Sequence, residues 1–176
     1  MNTLSQRIDE NIARVADFPQ PGIQYKDITT LFQNPELCQE IVEAFSAFSK
    51  GKVDVVCGIE SRGFLFGLLI AQKLNLPFVL IRKQGKLPPP TVSESYALEY
   101  GNATIEVQPQ YVKKGQRFLI HDDVLATGGT AEATAKLIEK CGGVVTQFSF
   151  IAELSFLNGR EKLNSFTKEI QGLVSY

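Results

Sequence analysis

Phe118-Leu119-Ile120-His121-Asp122-Asp123-Val124-Leu125-Ala126-Thr127-Gly128-Gly129-Thr130 is the stretch from which the fold of this 176-residue chain is read. It opens on an apolar run of strand type. Two carboxylates follow, then a loop of small residues from Ala126 to Thr130. A helical pattern then begins with Ala131, Ala133, Ala135, Leu137 and Ile138. Backbone N–H groups of a small-residue loop at a helix N-terminus form an anion cradle, and the helix dipole adds to it. Gly128 and Gly129 let the backbone approach a phosphate closely and accept positive φ. Thr127 and Thr130 can add hydroxyl donors. Asp122 and Asp123 cannot serve the phosphate, because like charges repel. They suit a donor-rich neighbour, such as the two hydroxyls of a ribose. An ordinary strand-to-helix turn can also carry a glycine pair, but the adjacent acids at this spacing point to a ribose-5-phosphate site. The stretch lacks the Gly-Lys-Thr of a P-loop and the G-x-G-x-x-G of a dinucleotide fold.

Outward from this stretch, apolar strand-type runs recur at Val53 to Cys57, Pro77 to Ile81, Arg117 to His121 and Val144 to Ala152. Helical patterns or long crossings separate them. That order predicts an α/β fold with a mainly parallel central sheet flanked by helices. Loops at the carboxyl ends of such strands gather on one edge, where ligands of open sheets bind. The loops at Glu60, Arg82 and Asp122 all belong there, so they should form one site. Asn34-Pro35 reads as an N-cap with a first-turn proline, opening a helix to about Phe48. Further helices are expected from about Phe64 to Leu74, up to about Cys141, and near Arg160. At the N-terminus Leu4, Ile8, Ile12 and Val15 recur at helical spacing, predicting one amphipathic helix. Ile23 to Ile28 reads as a short strand and Ile170 to Val174 as a terminal one. Arg82 to Val107 differs: Lys83, Lys86, three prolines and two alternating segments about Gly101-Asn102 predict a projecting β-hairpin.

Composition sets the bounds. Hydrophobic residues at 44% and charged residues at 21% fit one globular domain over 1–176. A net charge of −1 gives no overall basic signature of nucleic-acid binding. No apolar run is long enough to span a membrane and no secretory signal is visible, so a cytoplasmic protein is expected. Cys38, Cys57 and Cys141 are widely spaced and read as core thiols rather than zinc ligands. The single histidine, His121, reads as a half-buried imidazole rather than a metal ligand.

The acid pair followed by Ala126-Thr127-Gly128-Gly129-Thr130 resembles the phosphoribosyl-pyrophosphate (PRPP) motif of the type I phosphoribosyltransferase family. Four further stretches resemble the adenine-using branch of that family. They are Phe18 to Thr29, the pyrophosphate-type loop Gly58 to Phe64, the lid-type stretch Ile81 to Pro88 with Ser95 to Gly101, and Gly159 to Leu163. The five follow one another over nearly the whole chain. The resemblance implies PRPP binding by Asp122, Asp123, Ala126, Thr127, Gly128, Gly129 and Thr130. It implies pyrophosphate binding by Glu60, Ser61, Arg62, Arg82, Lys83 and Lys86, with a cis peptide at Glu60–Ser61. It implies adenine binding by Gln24, Tyr25, Lys26, Tyr100 and Leu157. Glu99 would exchange a proton with the purine as a mobile lid at about 82–107 closes, and Lys86 would reach a neighbouring subunit.

The implied reaction is adenine plus PRPP giving AMP plus pyrophosphate. Mg²⁺ would be held by PRPP and water rather than by protein ligands, and the protein would be a homodimer. No nucleic-acid or membrane partner is expected. A regulator that senses PRPP with the same fold would need a DNA-binding extension. The residues before Phe18 are too few for a winged helix.

Overall fold

The computed structural model describes residues 2–18, 20–22, 24–97 and 101–176. Its main sheet has seven strands: β3 (Val55–Ile59), β4 (Phe78–Lys83), β5 (Val92–Ala97), β6 (Asn102–Val107), β7 (Arg117–Leu125), β8 (Val144–Glu153) and β9 (Ile170–Ser175). Their order is β5-β6-β4-β3-β7-β8-β9. The five strands from β4 to β9 are parallel, and β5-β6 is an antiparallel hairpin joined to β4.

Alternate residues of the central strands serve two cores, as a period of two dictates. Val55, Cys57, Ile59, Phe118 and Ile120 pack beneath α4 (Gly129–Lys140) and α5 (Gly159–Leu163). Val56, Leu119 and Ile151 pack beneath α1 (Leu4–Asn11), α2 (Pro35–Ser49) and α3 (Gly63–Leu74). The predicted N-cap is present: the Asn34 side chain accepts from the Leu37 N–H, with Pro35 in the first turn. Among the described residues no helix is long and apolar enough to cross a membrane.

Some expectations are corrected. The first helix stops at Asn11, capped at its start by a Thr3–Gln6 box. Val15 lies instead in β1 (Ala13–Ala16), paired antiparallel with β2 (Gln24–Asp27). Helical spacing alone cannot anticipate a partner strand further along the chain, and that partner overrides local propensity. The hairpin is less detached than predicted. Its root, Ile105 and Glu106, pairs with Lys83 and Arg82, so it extends the main sheet. Its strand β5 lies over α4, where the Lys140 ammonium donates to the Ser93 carbonyl at 3.0 Å. Of the three free thiols only Cys57 is buried; Cys38 and Cys141 are partly exposed.

Candidate active site

The acid pair falls within β7 rather than after it. Asp122 and Asp123 are its sixth and seventh residues, and the strand runs on to Leu125. Ala126 and Thr127 follow, and Gly128 sits at φ +78° immediately before α4. A side chain there is disfavoured, which is the structural reason for glycine. Residues 126–130, together with Asp122 and its neighbours at the end of β7, line a small hollow of about 70 Å³ at the start of α4. Its first N–H groups have no partner within the helix, so the hollow suits a phosphate group.

A larger cavity of about 580 Å³ adjoins it. Gln24, Tyr25 and Lys26 enter from β2. Glu60, Ser61, Arg62 and Lys83 enter from the ends of β3 and β4. Asp122, Asp123, Ala126 and Thr130 come from β7 and its loop, with Tyr96 and Leu154 completing the wall. The Glu60–Ser61 peptide is cis. The carboxyl ends of the parallel strands therefore do converge, as the topology predicted.

Two charges in this cavity are already engaged with each other. Arg62 Nε stands 2.7 Å from Asp123 Oδ2, a carboxylate whose residue is only 5% exposed. The contact is ionic; its N–H is not aligned for a hydrogen bond, and that oxygen has no hydrogen-bond partner among the described residues. Arg62 also donates to the Tyr25 hydroxyl, with its guanidinium 5.5 Å from the Tyr25 ring centre. Phe18 meets the same ring edge-on at 5.0 Å. The Asp122 carboxyl accepts from the Asp123 N–H at 2.9 Å. Burial and the neighbouring Asp123 charge nevertheless push its pKa well above the usual carboxylate range.

Arg82 and Lys86 are not among the residues lining this cavity. Arg82 grips Glu60 with Nε and Nη2 at 3.2 and 3.3 Å, and donates from Nη1 to the Lys86 carbonyl at 2.9 Å. The Lys83 N–H donates to Glu60 Oε2 at 2.9 Å. Burial pushes the Glu60 carboxyl up, but these donors outweigh it and hold the pKa below its ordinary value. The Gly85 N–H donates to Glu106 at 3.0 Å, closing the root of the hairpin. Arg82 thus ties the hairpin to the cis-peptide loop, while Lys86 remains exposed.

Leu157 is 37% exposed in a short 3-10 turn (Ser155–Leu157), and Leu154 takes the cavity position instead. Glu99 and Tyr100 lie outside the described residues. Sequence reasoning missed Tyr96 as a cavity residue; its place four positions along from Val92, on the half-buried face of an alternating strand, was the available signal. His121 is fully buried rather than half-buried. Its Nδ1 is paired with the Ser149 hydroxyl at 2.8 Å and Phe45 meets its ring edge-on. Burial drives its pKa down to about 3, so it is neutral.

A parallel sheet with an acid pair and a glycine cradle at one strand end is the arrangement of a phosphoribosyltransferase. The family described as the phosphoribosyl transferase domain matches residues 27–154. Adenine phosphoribosyltransferase of Cytophaga hutchinsonii is 49% identical over 174 residues, covering 98% of this chain and 96% of its own. The crystal structure of adenine phosphoribosyltransferase from Thermoanaerobacter pseudethanolicus superposes with a TM-score of 0.93 at 42% identity, covering 99% of this chain and 100% of its own. The Saccharomyces cerevisiae enzyme, complexed with an imino-altritol bisphosphate and adenine, superposes with a TM-score of 0.90 at 37% identity, covering 97% of this chain and 98% of its own. The chain belongs to the adenine phosphoribosyltransferase family.

Proposed function

We propose that this chain transfers the 5-phosphoribosyl group from PRPP to adenine, releasing AMP and pyrophosphate in purine salvage. One observation carries the assignment of roles: a base-sized wall, an acid pair and a glycine cradle open into adjoining hollows. The cradle at Ala126 to Thr130 holds the 5-phosphate. Asp122 and Asp123 accept hydrogen bonds from the ribose hydroxyls. Adenine lies against the Tyr25 ring, and its edge is read by Gln24, Tyr25 and Lys26. Among the described residues strand β2 pairs only with β1, so the groups of its other edge are available to the base.

The purine nitrogen displaces pyrophosphate at the anomeric carbon. Positive charge builds on the ribose as the bond to the leaving group lengthens. Arg62 and Lys83 then stand where they can meet the leaving pyrophosphate, and Ser61 offers a hydroxyl beside them. Arg62 is free to do so when ribose hydroxyls take its place on Asp123. Glu99 exchanges a proton with the purine. Closure of the 82–107 hairpin excludes water, which would otherwise hydrolyse PRPP.

Mg²⁺ fits this donor set. Two adjacent carboxylates line one wall, and no group of three metal-ligating side chains occurs among the described residues. Substrate oxygens and water would hold the ion, while Asp122 and Asp123 would hold the ribose hydroxyls, directly or through metal-bound water. The ion would neutralise charge on the pyrophosphate. The protein acts as a cytoplasmic homodimer in this reading, which three free thiols and an exposed leucine face support. That face comprises Leu65, Leu68 and Leu69 of α3 with Leu80 of β4. Lys86, exposed at the hairpin root, is the residue that reaches the second subunit.

AMP formation from adenine and PRPP tests the activity. A preference for adenine over hypoxanthine below about tenfold would defeat the base assignment.

A further inference from the structure

We propose that Gly159 and Arg160 are positioning residues that set the shape of the phosphate cradle from behind. The proposal rests on the reading of residues 126–130 as the 5-phosphate site. Gly159 opens α5 and faces the loop glycine directly. A methyl group on Gly159 would overlap the Ala126 carbonyl oxygen and stand 2.9 Å from the Gly128 nitrogen. The converse is also true: a methyl on Gly128 would lie 2.5 Å from the Gly159 carbonyl oxygen. Both sides of this contact are backbone, so neither can yield by rotating a side chain. The cradle therefore rests on α5, and α5 must be held still for the cradle N–H groups to keep their aim.

Arg160 holds it. Its Nε and Nη2 donate to Glu153 at 2.9 and 2.5 Å, and Nη1 donates to the Ile170 carbonyl at 3.0 Å. Those partners are the last residue of β8 and the first of β9. Leu163, fully buried beneath α4, pins the other end of α5. Arg160 is thus a cation that ties a short helix to two strands of the rigid sheet. It acts on the substrate only through Gly159 and the loop behind which Gly159 sits.

The experiment is steady-state kinetics of Gly159→Ala with PRPP and adenine varied separately, alongside ribose 5-phosphate binding by calorimetry and a melting curve. KM for PRPP should rise roughly 10- to 100-fold, because a displacement of about 1 Å is costly at a positioned site. KM for adenine and kcat should stay within about threefold. Ribose 5-phosphate affinity should fall in parallel with the PRPP effect. Gly142→Ala provides the control. That glycine follows the other end of α4 at φ +95°, with no atom closer than 3.6 Å to an added methyl. It should cost stability and leave KM for PRPP unchanged.

Should Gly159→Ala fail to fold, Arg160→Lys carries the same test. It keeps a charge for Glu153 and loses the planar fork that also reaches Ile170. The double variant Thr127→Val, Thr130→Val separates the proposal from the reading beneath it. If that variant raises KM for PRPP while Gly159→Ala and Arg160→Lys do not, the positioning role is wrong. If none of the three changes it, neither the threonine hydroxyls nor the α5 support bears on PRPP binding, and the proposal falls.

Discussion

The two parts of this site proposed to handle anions are built in opposite ways. Residues 126–130 present backbone: a small hollow at a helix start, a glycine at positive φ, and a second glycine packed behind. Residues 60–62 and 82–86 present side chains, and the two arginines among them are committed to protein partners, Arg62 to Asp123 and Arg82 to Glu60. A cradle of backbone N–H groups is ready before its ligand arrives. A charged side chain must exchange one partner for another. The difference teaches that, in the proposed reaction, the cradle would supply fixed recognition and the side-chain half a response to substrate.

That contrast can be broken or sharpened by experiment. The largest effect is expected on the hairpin. Glu99→Gln should fold normally and lower kcat by about 10²–10⁴-fold, the usual contribution of a positioned acid or base. Unchanged single-turnover chemistry would remove Glu99 from the proton transfer. Next, Arg62→Ala should lower kcat/KM by about 100-fold, comparable with losing one donor to developing negative charge. If Arg62 served only as the resting partner of Asp123, the loss would appear in the melting temperature and not in kcat/KM.

Asp122→Asn and Asp123→Asn should each lower kcat/KM for PRPP by roughly 10- to 100-fold, the loss of about 1.5–3 kcal/mol for one charged hydrogen bond. Asp122→Asn should also stabilise the protein at neutral pH. The folded pKa of Asp122 is raised, so its stability penalty is absent below the ordinary carboxylate range. The penalty grows as pH rises through the folded value. Denaturation of both proteins at neutral and acidic pH checks the sign: the gap should close in acid.

His121 gives a smaller effect, on stability alone. Its pKa is about 3 when folded against 6.5 when free. Its contribution is complete above the free value and is lost as pH falls toward the folded one. At pH 5 the loss is about 2 kcal/mol. His121→Val should flatten the stability profile between pH 7 and 5, at a constant cost for the stranded Ser149 hydroxyl; an unchanged profile would place the titration elsewhere. Smallest of all should be Gln24→Ala. If β2 reads adenine by its backbone, the preference over hypoxanthine survives with less than about threefold change in either kcat/KM. Its collapse would move this part of the site to the side-chain half of the comparison.

Much of the fold is written in consecutive residues. The apolar run before Asp122, the small-residue loop and the alanine-rich helix follow from local chemistry, as does the Asn34-Pro35 start of α2. The site's convergence was legible too, because parallel strands deliver their loops to one edge. The Val15 error has the opposite character. Helical periodicity continues past Asn11, but a strand partner at Gln24–Asp27 outweighs it. Leu154 rather than Leu157 lines the cavity because the 3-10 turn after β8 rotates Leu157 outward, and a pattern match cannot register that rotation.

The sequence by itself determined the class of chemistry: an acid pair at a strand end and a glycine cradle at a helix start are local, and each needs only its neighbours along the chain. Only the tertiary structure decided which groups are committed. Arg62 and Asp123 are far apart in sequence, as are Arg82 and Glu60, or Gly159 and Gly128, and nothing in the spacing announces those pairs. The ion pairs arise because burial removes water from charged groups, which must then find one another across the fold, and the glycine pair arises because two backbones pack too closely for a side chain.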